Sequence, residues 1–196
     1  MPPKVRVTQE QIIDASISII RENGIESLNA RAIADKLGSS VHPIFRVYKS
    51  MELLKLEVIK ETEKLYNQRM FEAMKSTENG FAQMGLTYIE FAKTEKNLFK
   101  LLFMTDAFES KSMLDIVGST EGDDEVIAML SNMTGLSPDL SKELYAGTWL
   151  TTHGIASMYA TNNCRYSDSE IKRLLENSFL GLVMKLKGEM GEKNEK

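Results

Sequence analysis

Residues 24–54 read GIESLNARAIADKLGSSVHPIFRVYKSMELL, and this stretch decides the fold. Asn29 can cap a short helix, because its side chain can accept a hydrogen bond from a free amide of the first turn. Three apolar residues then follow at a helical spacing, so that they lie on one side of the helix: Ile33, Ala34 and Leu37. The segment therefore predicts a first short helix that starts after Asn29.

A second short helix is predicted immediately afterwards. Gly38 is expected to end the first helix, and Ser39 or Ser40 is expected to cap the next. The side of the second helix predicted to be buried carries Ile44, Phe45 and Tyr48. Two short helices joined this closely cross at a steep angle, and the second is presented outward, where it can lie in a DNA major groove. The pattern predicts a helix-turn-helix.

The rest of the chain also has helical periodicity, and no segment alternates like a strand. Thr8 with Gln11 and Ser167 with Glu170 form capping boxes, while Ser137-Pro138 is a strong helix start. The further helices are expected at about 9–23, 51–75, 81–93, 95–104, 123–134, 138–162 and 168–187. The predicted fold class is all-α.

Composition limits the class of protein. The chain has 196 residues, and 42% of them are hydrophobic, which is enough for a buried core. No apolar run is long enough to span a bilayer, and the first residues lack a secretory signal, so no membrane partner is expected. Its one cysteine, Cys164, cannot form an intramolecular disulfide. These features predict a cytoplasmic protein.

The net charge of −4 is unevenly distributed. Residues 1–55 contain eight basic and six acidic residues, whereas the remaining chain contains sixteen basic and twenty-two acidic residues. A mildly basic head on an acidic body is consistent with a protein that contacts phosphates at one end only.

Motifs of catalysis are missing from the sequence. The two histidines, His42 and His153, are far apart, and no cysteine pair or Gly-rich phosphate loop accompanies them. The run Asp123-Asp124-Glu125 is better explained as a negatively charged helix start than as a cation site. We therefore expect no enzyme activity, no metal and no cofactor.

Residues 8–58 resemble the TetR family of transcriptional regulators. The resemblance rests on Gly24, Leu28, Ile33-Ala34, Leu37-Gly38, Ser40, Ile44-Phe45, Tyr48 and Leu53. A shorter, less specific similarity is Trp149 with His153-Gly154, which is like a Trp…His-Gly pattern in the ligand-binding domains of some members.

This resemblance implies an organisation and a function. Residues 1–50 are expected to form a three-helix helix-turn-helix head, and residues 51–196 a larger helical domain for ligand binding and dimerisation. The implied function is a ligand-responsive regulator, a repressor that leaves its double-stranded DNA operator when a small apolar molecule binds the second domain. Activation is an open alternative, because the sign depends on the operator's position.

The chain departs from the family pattern within the head. It has His42-Pro43 where the family often has Gly-Thr, and Phe45 and Val47 where Tyr and His are usual. Met51 stands at a position where lysine is common. These departures motivate an alternative, a TetR-like binding module whose head does not read DNA.

The DNA-contacting residues expected from the head are Asn29, Arg31, Ser40, Val41, His42, Pro43, Phe45, Arg46 and Lys49. Val41 can touch a thymine methyl group, and Arg46 and Lys49 can replace lost phosphate contacts. The alternative for the basic members is an ordinary solvated charge. Lys4 and Arg6 are either a minor-groove arm or a disordered terminus.

The effector-binding residues expected in the second half are Met104, Trp149 and His153. Ten of the twelve methionines lie after residue 51, and thioether side chains adapt to varied apolar ligands. Trp149 and His153 are four residues apart and therefore share a helix face. Ordinary core packing is the alternative for each of them, and a helical enzyme that uses His153 is a further one.

The last two helices are predicted to form a homodimer interface. A small-residue stripe on the first (Gly147, Thr151, Gly154 and Met158) allows close approach, and the second carries an apolar stripe (Ile171, Leu174, Leu175, Leu182 and Leu186). Packing within the chain is the alternative for these residues.

Overall fold

The helices of this protein begin and end largely where local sequence signals place them. The structure, a computed structural model, describes residues 7–105, 117, 122–162 and 164–194, and every regular element in these ranges is helical. In chain order the α-helices are α1 (Gln9–Asn23), α2 (Ala30–Lys36), α3 (His42–Val47), α4 (Met51–Lys75), α5 (Gly80–Thr94), α6 (Lys96–Phe103), α7 (Asp123–Thr134), α8 (Pro138–Thr161) and α9 (Asp168–Asn194), and a short 3-10 helix (Ile25–Ser27) lies between α1 and α2. The predicted all-α class is confirmed.

Four predicted helix starts are confirmed by their hydrogen bonds. The Gln11 amide donates to Thr8 Oγ1 at 3.2 Å and the Thr8 amide donates to Gln11 Oε1 at 3.0 Å, which completes the capping box of α1. At the starts of α4, α8 and α9 the hydroxyl oxygens of Ser50, Ser137 and Ser167 accept from the backbone amides of Leu53, Leu140 and Glu170. The last helix is longer than predicted and continues to Asn194.

In the turn between α2 and α3, backbone amides donate hydrogen bonds to the last carbonyl oxygens of α2, and no side chain is needed. Leu37 is the C-cap, and Gly38 follows with a φ of 60° in the left-handed region. The Gly38 amide donates to the Asp35 carbonyl oxygen at 3.2 Å, and the Ser39 amide donates to the Ala34 carbonyl oxygen at 2.9 Å. This pair of bonds is a Schellman motif, and Gly38 occupies its left-handed position directly after the C-cap. The prediction that α2 ends at Gly38 is confirmed.

The predicted cap of α3 by Ser39 or Ser40 is wrong. The N-cap is Val41, and no side chain caps this helix. A cap needs a free amide in the first turn, but the Ile44 amide already donates to the Val41 carbonyl oxygen at 3.1 Å. Pro43, in the same turn, has no amide hydrogen to donate.

The described residues divide into two compact units. The first contains α1 to α3, α4 as far as Arg69, and α6; the second contains the end of α4 from Met70, together with α5 and α7 to α9. The division between the two units falls after Arg69, within the continuous helix α4. The predicted domain boundary at residue 50 stays a prediction.

The core of the first unit is built on α1. Because α1 packs against both α2 and α6, it is buried on more than one side, and its buried residues are Ile12, Ile13, Ala15, Ser16, Ile17, Ile19 and Ile20. Arg21 Nε lies 2.8 Å from Glu95 Oε2, and the Asn97 side-chain amide donates to the Arg21 carbonyl oxygen at 3.1 Å. These contacts hold the end of α1 against the start of α6.

The first part of α4 has a narrower buried face than its apolar residues suggest. Leu54 and Val58 are fully buried, four residues apart, and Thr62 continues the same face. Leu53 and Leu65, by contrast, are half exposed. Only the spacing of four residues therefore marks the packed side of this helix.

The core of the second unit joins α5, α7, α8 and α9. Its buried cluster consists of Phe81, Val126, Leu130, Leu136, Leu144 and Leu186. Asp123, at the start of α7, is buried and hydrogen-bonds Tyr145 of α8. Burial, followed by the nearby Asp123 charge, raises the pKa of the Tyr145 phenol well above its usual range.

Candidate nucleic-acid interface and effector site

The short helix α3 presents an apolar outer surface. Ile44 and Tyr48, four residues apart, are buried, whereas Val41, Phe45 and Val47 are 37%, 45% and 36% exposed. The prediction that Phe45 lies on the buried side is wrong. Phe45 lies about 100° around the helix from Ile44, and the tertiary structure packs only the side that carries Ile44 and Tyr48.

Three basic side chains of α2 and of the region around α3 are also exposed. Arg31, at the start of α2, and Arg46 and Lys49, around the end of α3, are exposed. Within the part of the chain that the structure describes, none of these three forms an ion pair, whereas Lys36 Nζ lies 2.9 Å from Glu22 Oε1. The unpaired cations are available to an external anion.

The other residues of the head predicted to contact DNA differ in their exposure and in their hydrogen bonds within the chain. Asn29 is exposed, but its Oδ1 accepts from the Ala32 amide at 2.9 Å and its Nδ2 donates to the Ser27 carbonyl oxygen at 3.1 Å. Ser40 and His42 are exposed, and Pro43 is partly buried. Lys4 and Arg6 lie outside the described residues.

This arrangement has the two kinds of group that DNA recognition uses. Exposed guanidinium and ammonium groups can bind phosphate oxygens, which positions a protein on a duplex without reading sequence. Imidazole and small apolar groups on a helix can contact base edges and thymine methyl groups in the major groove. No described contact within the chain occupies the exposed tips of these basic side chains.

The predicted effector residues Trp149 and His153 stack on each other in α8. Their ring centroids are 4.6 Å apart, with an interplanar angle of 13°. Tyr88 of α5 completes the cluster: its Oη lies 2.9 Å from His153 Nδ1, and its ring meets Trp149 edge-on at 6.3 Å. Burial lowers the pKa of the His153 imidazole, which favours the neutral ring.

Tyr88, the third member of this cluster, is not predicted by the sequence analysis. Nothing local connects residue 88 to residue 153, and only the packing of α5 on α8 brings them together. Met104, the third predicted effector residue, follows α6 in the first unit and is 43% exposed, whereas Trp149 and His153 belong to the second unit.

Several residues predicted for the dimer interface are used within the chain. A Cβ atom at Gly147 would lie 2.8 Å from Leu182 Cδ1, and Thr151 Oγ1 lies 2.8 Å from Ser178 Oγ. Ile171 and Leu186 are almost completely buried. At these four positions the alternative, packing of α8 against α9 within the chain, applies, and the homodimer interface stays a prediction.

Other small and apolar positions on these two helices stay exposed. Leu150, Gly154 and Met158 follow each other at a spacing of four along α8, and Leu174, Gly181 and Met184 are exposed on α9. A Cβ atom at Gly154 or Gly181 would meet no neighbour within 4 Å. These six residues are called the outer face below.

The described residues contain neither a metal-binding cluster nor a membrane-spanning helix. No group of three or more His, Cys, Asp and Glu side chains that could bind a metal ion is found there. Among the described helices, none combines the length and apolar character needed to cross a bilayer. No protein-family model, curated protein or solved structure matches this chain to a significant degree.

Proposed function

We propose that this protein is a DNA-binding transcriptional regulator of the TetR type, a repressor that acts in the cytoplasm. The observation that carries the proposal is the pair α2 and α3, joined by a Schellman turn at Gly38, with Arg31, Arg46 and Lys49 exposed and unpaired among the described residues. A helix-turn-helix with free cations around its second helix is the arrangement that lies in a major groove and binds the flanking phosphates.

The first test is selection of bound sequences from a random duplex pool at low salt. The wild-type protein is expected to enrich a palindrome, and Arg46→Ala is expected to weaken its binding by about 1–3 kcal/mol if the side chain reads a base. Lys36→Ala is the matched control, since Lys36 is also in the head but pairs with Glu22. No enrichment with any variant would contradict the proposal.

Salt dependence supplies a second readout for the same interface. Each phosphate contact contributes a slope of about −0.9 to the dependence of log affinity on log salt. If Arg46 binds a phosphate, Arg46→Ala makes the slope shallower by about one contact and lowers the affinity for all sequences alike. A slope that Lys36→Ala changes equally would show only a general effect of net charge.

A second candidate function is favoured by the apolar surface of α3. Val41, Phe45 and Val47 are all more than a third exposed, and exposed apolar groups together are typical of a protein-contact surface. In this alternative the head does not read DNA and binds a protein partner instead. Failure of the duplex selection, together with capture of a partner by the wild type but not by Phe45→Ser, would favour it.

We further propose that the protein is a homodimer held by the outer face. A single head reads only a few base pairs, and two heads about 34–36 Å apart, or a multiple of that distance, reach successive turns of one side of a duplex. Leu174→Glu with Met184→Glu is expected to give a monomer by light scattering. Leu56→Glu, at a similarly exposed apolar position of α4, is the control and is expected to leave the mass unchanged.

The effector is proposed to be a small apolar molecule that binds beside Tyr88, Trp149 and His153. Its binding would shift α4, whose residues belong to both compact units, and so weaken operator binding. Ligand and DNA must then weaken each other by the same factor. Compounds that change Trp149 fluorescence are to be titrated into the protein–DNA complex, and unchanged DNA affinity at saturation would contradict this mechanism.

A further inference from the structure

A groove in the second unit lies beside the start of α5 and along α7. Its volume is about 670 Å³, and its apolar wall consists of Phe81, Ala128, Met129 and Met133. Phe81 belongs to the buried core, Met129 is partly buried, and Met133 is half exposed. The wall therefore extends from the core to the surface. Pockets for small molecules have volumes of about 300–1,000 Å³, so the groove has a suitable size.

The polar groups of the groove are of one charge. Glu78 and Glu125 supply carboxylates, and Asn79 and Asn132 supply amides, whereas none of the described residues that line the groove is basic. Neither carboxylate forms an ion pair within the described part of the chain. A positive charge on a ligand would gain attraction here, and a negative charge would be repelled.

The position of the two carboxylates near helix starts explains their presence only in part. Glu125 lies in the first turn of α7 and Glu78 just before α5, where the helix dipole stabilises negative charge. That role does not require an apolar wall with two methionines beside the carboxylates. Methionine side chains are flexible and polarisable, and they adapt to apolar ligands of different shapes.

From this combination we propose that the groove binds an organic cation with an apolar tail or ring, such as a lipophilic amine or a quaternary ammonium compound. The apolar part packs on Phe81, Met129 and Met133, and the cationic group lies near Glu78 and Glu125. The groove shares no residue with the Tyr88–Trp149–His153 cluster. The proposal is therefore independent of DNA binding and of the effector proposed above.

The test uses three probes of similar length on the full chain: octyltrimethylammonium, octanol and octanoate. Calorimetry is expected to give the highest affinity for the cation, a lower affinity for the neutral alcohol and the lowest for the anion. Methyl NMR of labelled methionines locates the site. The cation is expected to shift Met129 and Met133 and to leave Met158 and Met184, exposed on α8 and α9, unchanged.

Variants separate a specific site from general attraction to an acidic protein. Glu78→Gln and Glu125→Gln are each expected to weaken cation binding about twofold to fivefold, the range of exposed ion pairs. Asp124→Asn is the matched control, because Asp124 is exposed in the same turn of α7 but does not line the groove. Ala128→Phe fills the groove and is expected to abolish binding of the cation and of octanol.

Three results would overturn the proposal. They are equal affinity for the three probes, methionine shifts confined to residues outside the groove, and a loss of affinity in Asp124→Asn as large as in Glu125→Gln. Circular dichroism of each variant confirms that the helices are retained. A protein that binds the cation in the groove but selects no duplex would keep this proposal and contradict the DNA-binding function, so the two failures are distinguishable.

Discussion

The two short helices α2 and α3, with the turn between them, and the helix pair α8–α9 are held by different kinds of contact. In the first region the decisive bonds are local: the Asn29 cap reaches Ala32, and the Schellman bonds join residues within one turn. In the second, Gly147 meets Leu182 and Thr151 meets Ser178, contacts between residues far apart in sequence. Local bonds leave a sequence signature that can be read directly, whereas long-range contacts leave only a spacing of small and apolar residues.

This difference explains why the sequence predicts the local turn and cap correctly but does not identify the neighbour of the small-residue stripe. The turn at Gly38 and the cap at Asn29 follow from residue types with one dominant structural use. The stripe at Gly147 and Thr151 suits close helix packing with any neighbour, from the same chain or from another. The chain uses it internally, and the exposed outer face is left for the proposed dimer contact.

The largest expected effect comes from breaking the long-range core. Leu144 is completely buried in the second unit, and Leu144→Ala is expected to lower the free energy of unfolding by about 2–5 kcal/mol. Urea unfolding followed by Trp149 fluorescence measures this, because Trp149 is the chain's one tryptophan and lies in the same helix. Leu180→Ala, at a half-exposed leucine of α9 that is not part of the outer face, is expected to stay within about 0.5 kcal/mol. Equal losses would contradict the burial described.

A smaller effect is expected from breaking the local turn of the head. Gly38 has a φ of 60°, where a side chain is strained, so Gly38→Ala is expected to cost about 1–2 kcal/mol. Gly38→Asn is expected to cost less, since asparagine tolerates this conformation. Thermal unfolding of both variants checks the order. A Gly38→Ala protein as stable as the wild type would show that the turn is not in the left-handed conformation.

The Asn29 cap gives a matched local test at the other end of α2. Asn29→Ala removes the bond to the Ala32 amide and is expected to cost about 1 kcal/mol, whereas Asn29→Asp keeps an acceptor and most of the stability. Chemical denaturation measures both. If Asn29→Asp lost as much stability as Asn29→Ala, capping would not be the role of this side chain.

A double-mutant cycle on Thr151 and Ser178 tests a long-range bond of comparable size. Their hydroxyl oxygens are 2.8 Å apart, and such a hydrogen bond contributes about 0.5–1.5 kcal/mol. Thr151→Val and Ser178→Ala are expected to be non-additive in the free energy of unfolding. Additive losses would mean that the two side chains do not interact in solution.

The smallest expected effect is a pH dependence centred on His153. Burial lowers its folded-state pKa, so below about pH 6.5 the unfolded chain binds more protons at this site than the folded chain does. The contribution is present above that pH and is lost as the pH falls through the folded-state pKa. His153→Gln is expected to reduce the drop in the urea midpoint between neutral and mildly acidic solution. An unchanged drop would place its origin at other groups.

Much of the secondary structure was predictable from the chain alone, but less of the candidate sites. The bounds of α4 and α7 and the caps at Thr8, Asn29 and Ser137 follow from local signals. The exposure of Phe45 does not, since an aromatic residue in a short helix suits either side until its neighbours are placed. Tyr88 and the groove at α7 were missed for the same reason, because their partners lie on other helices.

By itself the sequence determined the all-α class, the order of the helices and the turn at Gly38 that joins α2 to α3. Capping groups, a left-handed glycine and helical periodicity act within a few residues, so they can be read without knowing the fold. Only the tertiary structure decided that Phe45 points outward, that Tyr88 meets His153, and that Gly147 contacts α9 of its own chain. Those outcomes depend on which helices become neighbours, and this is determined by contacts between residues that are far apart in the sequence.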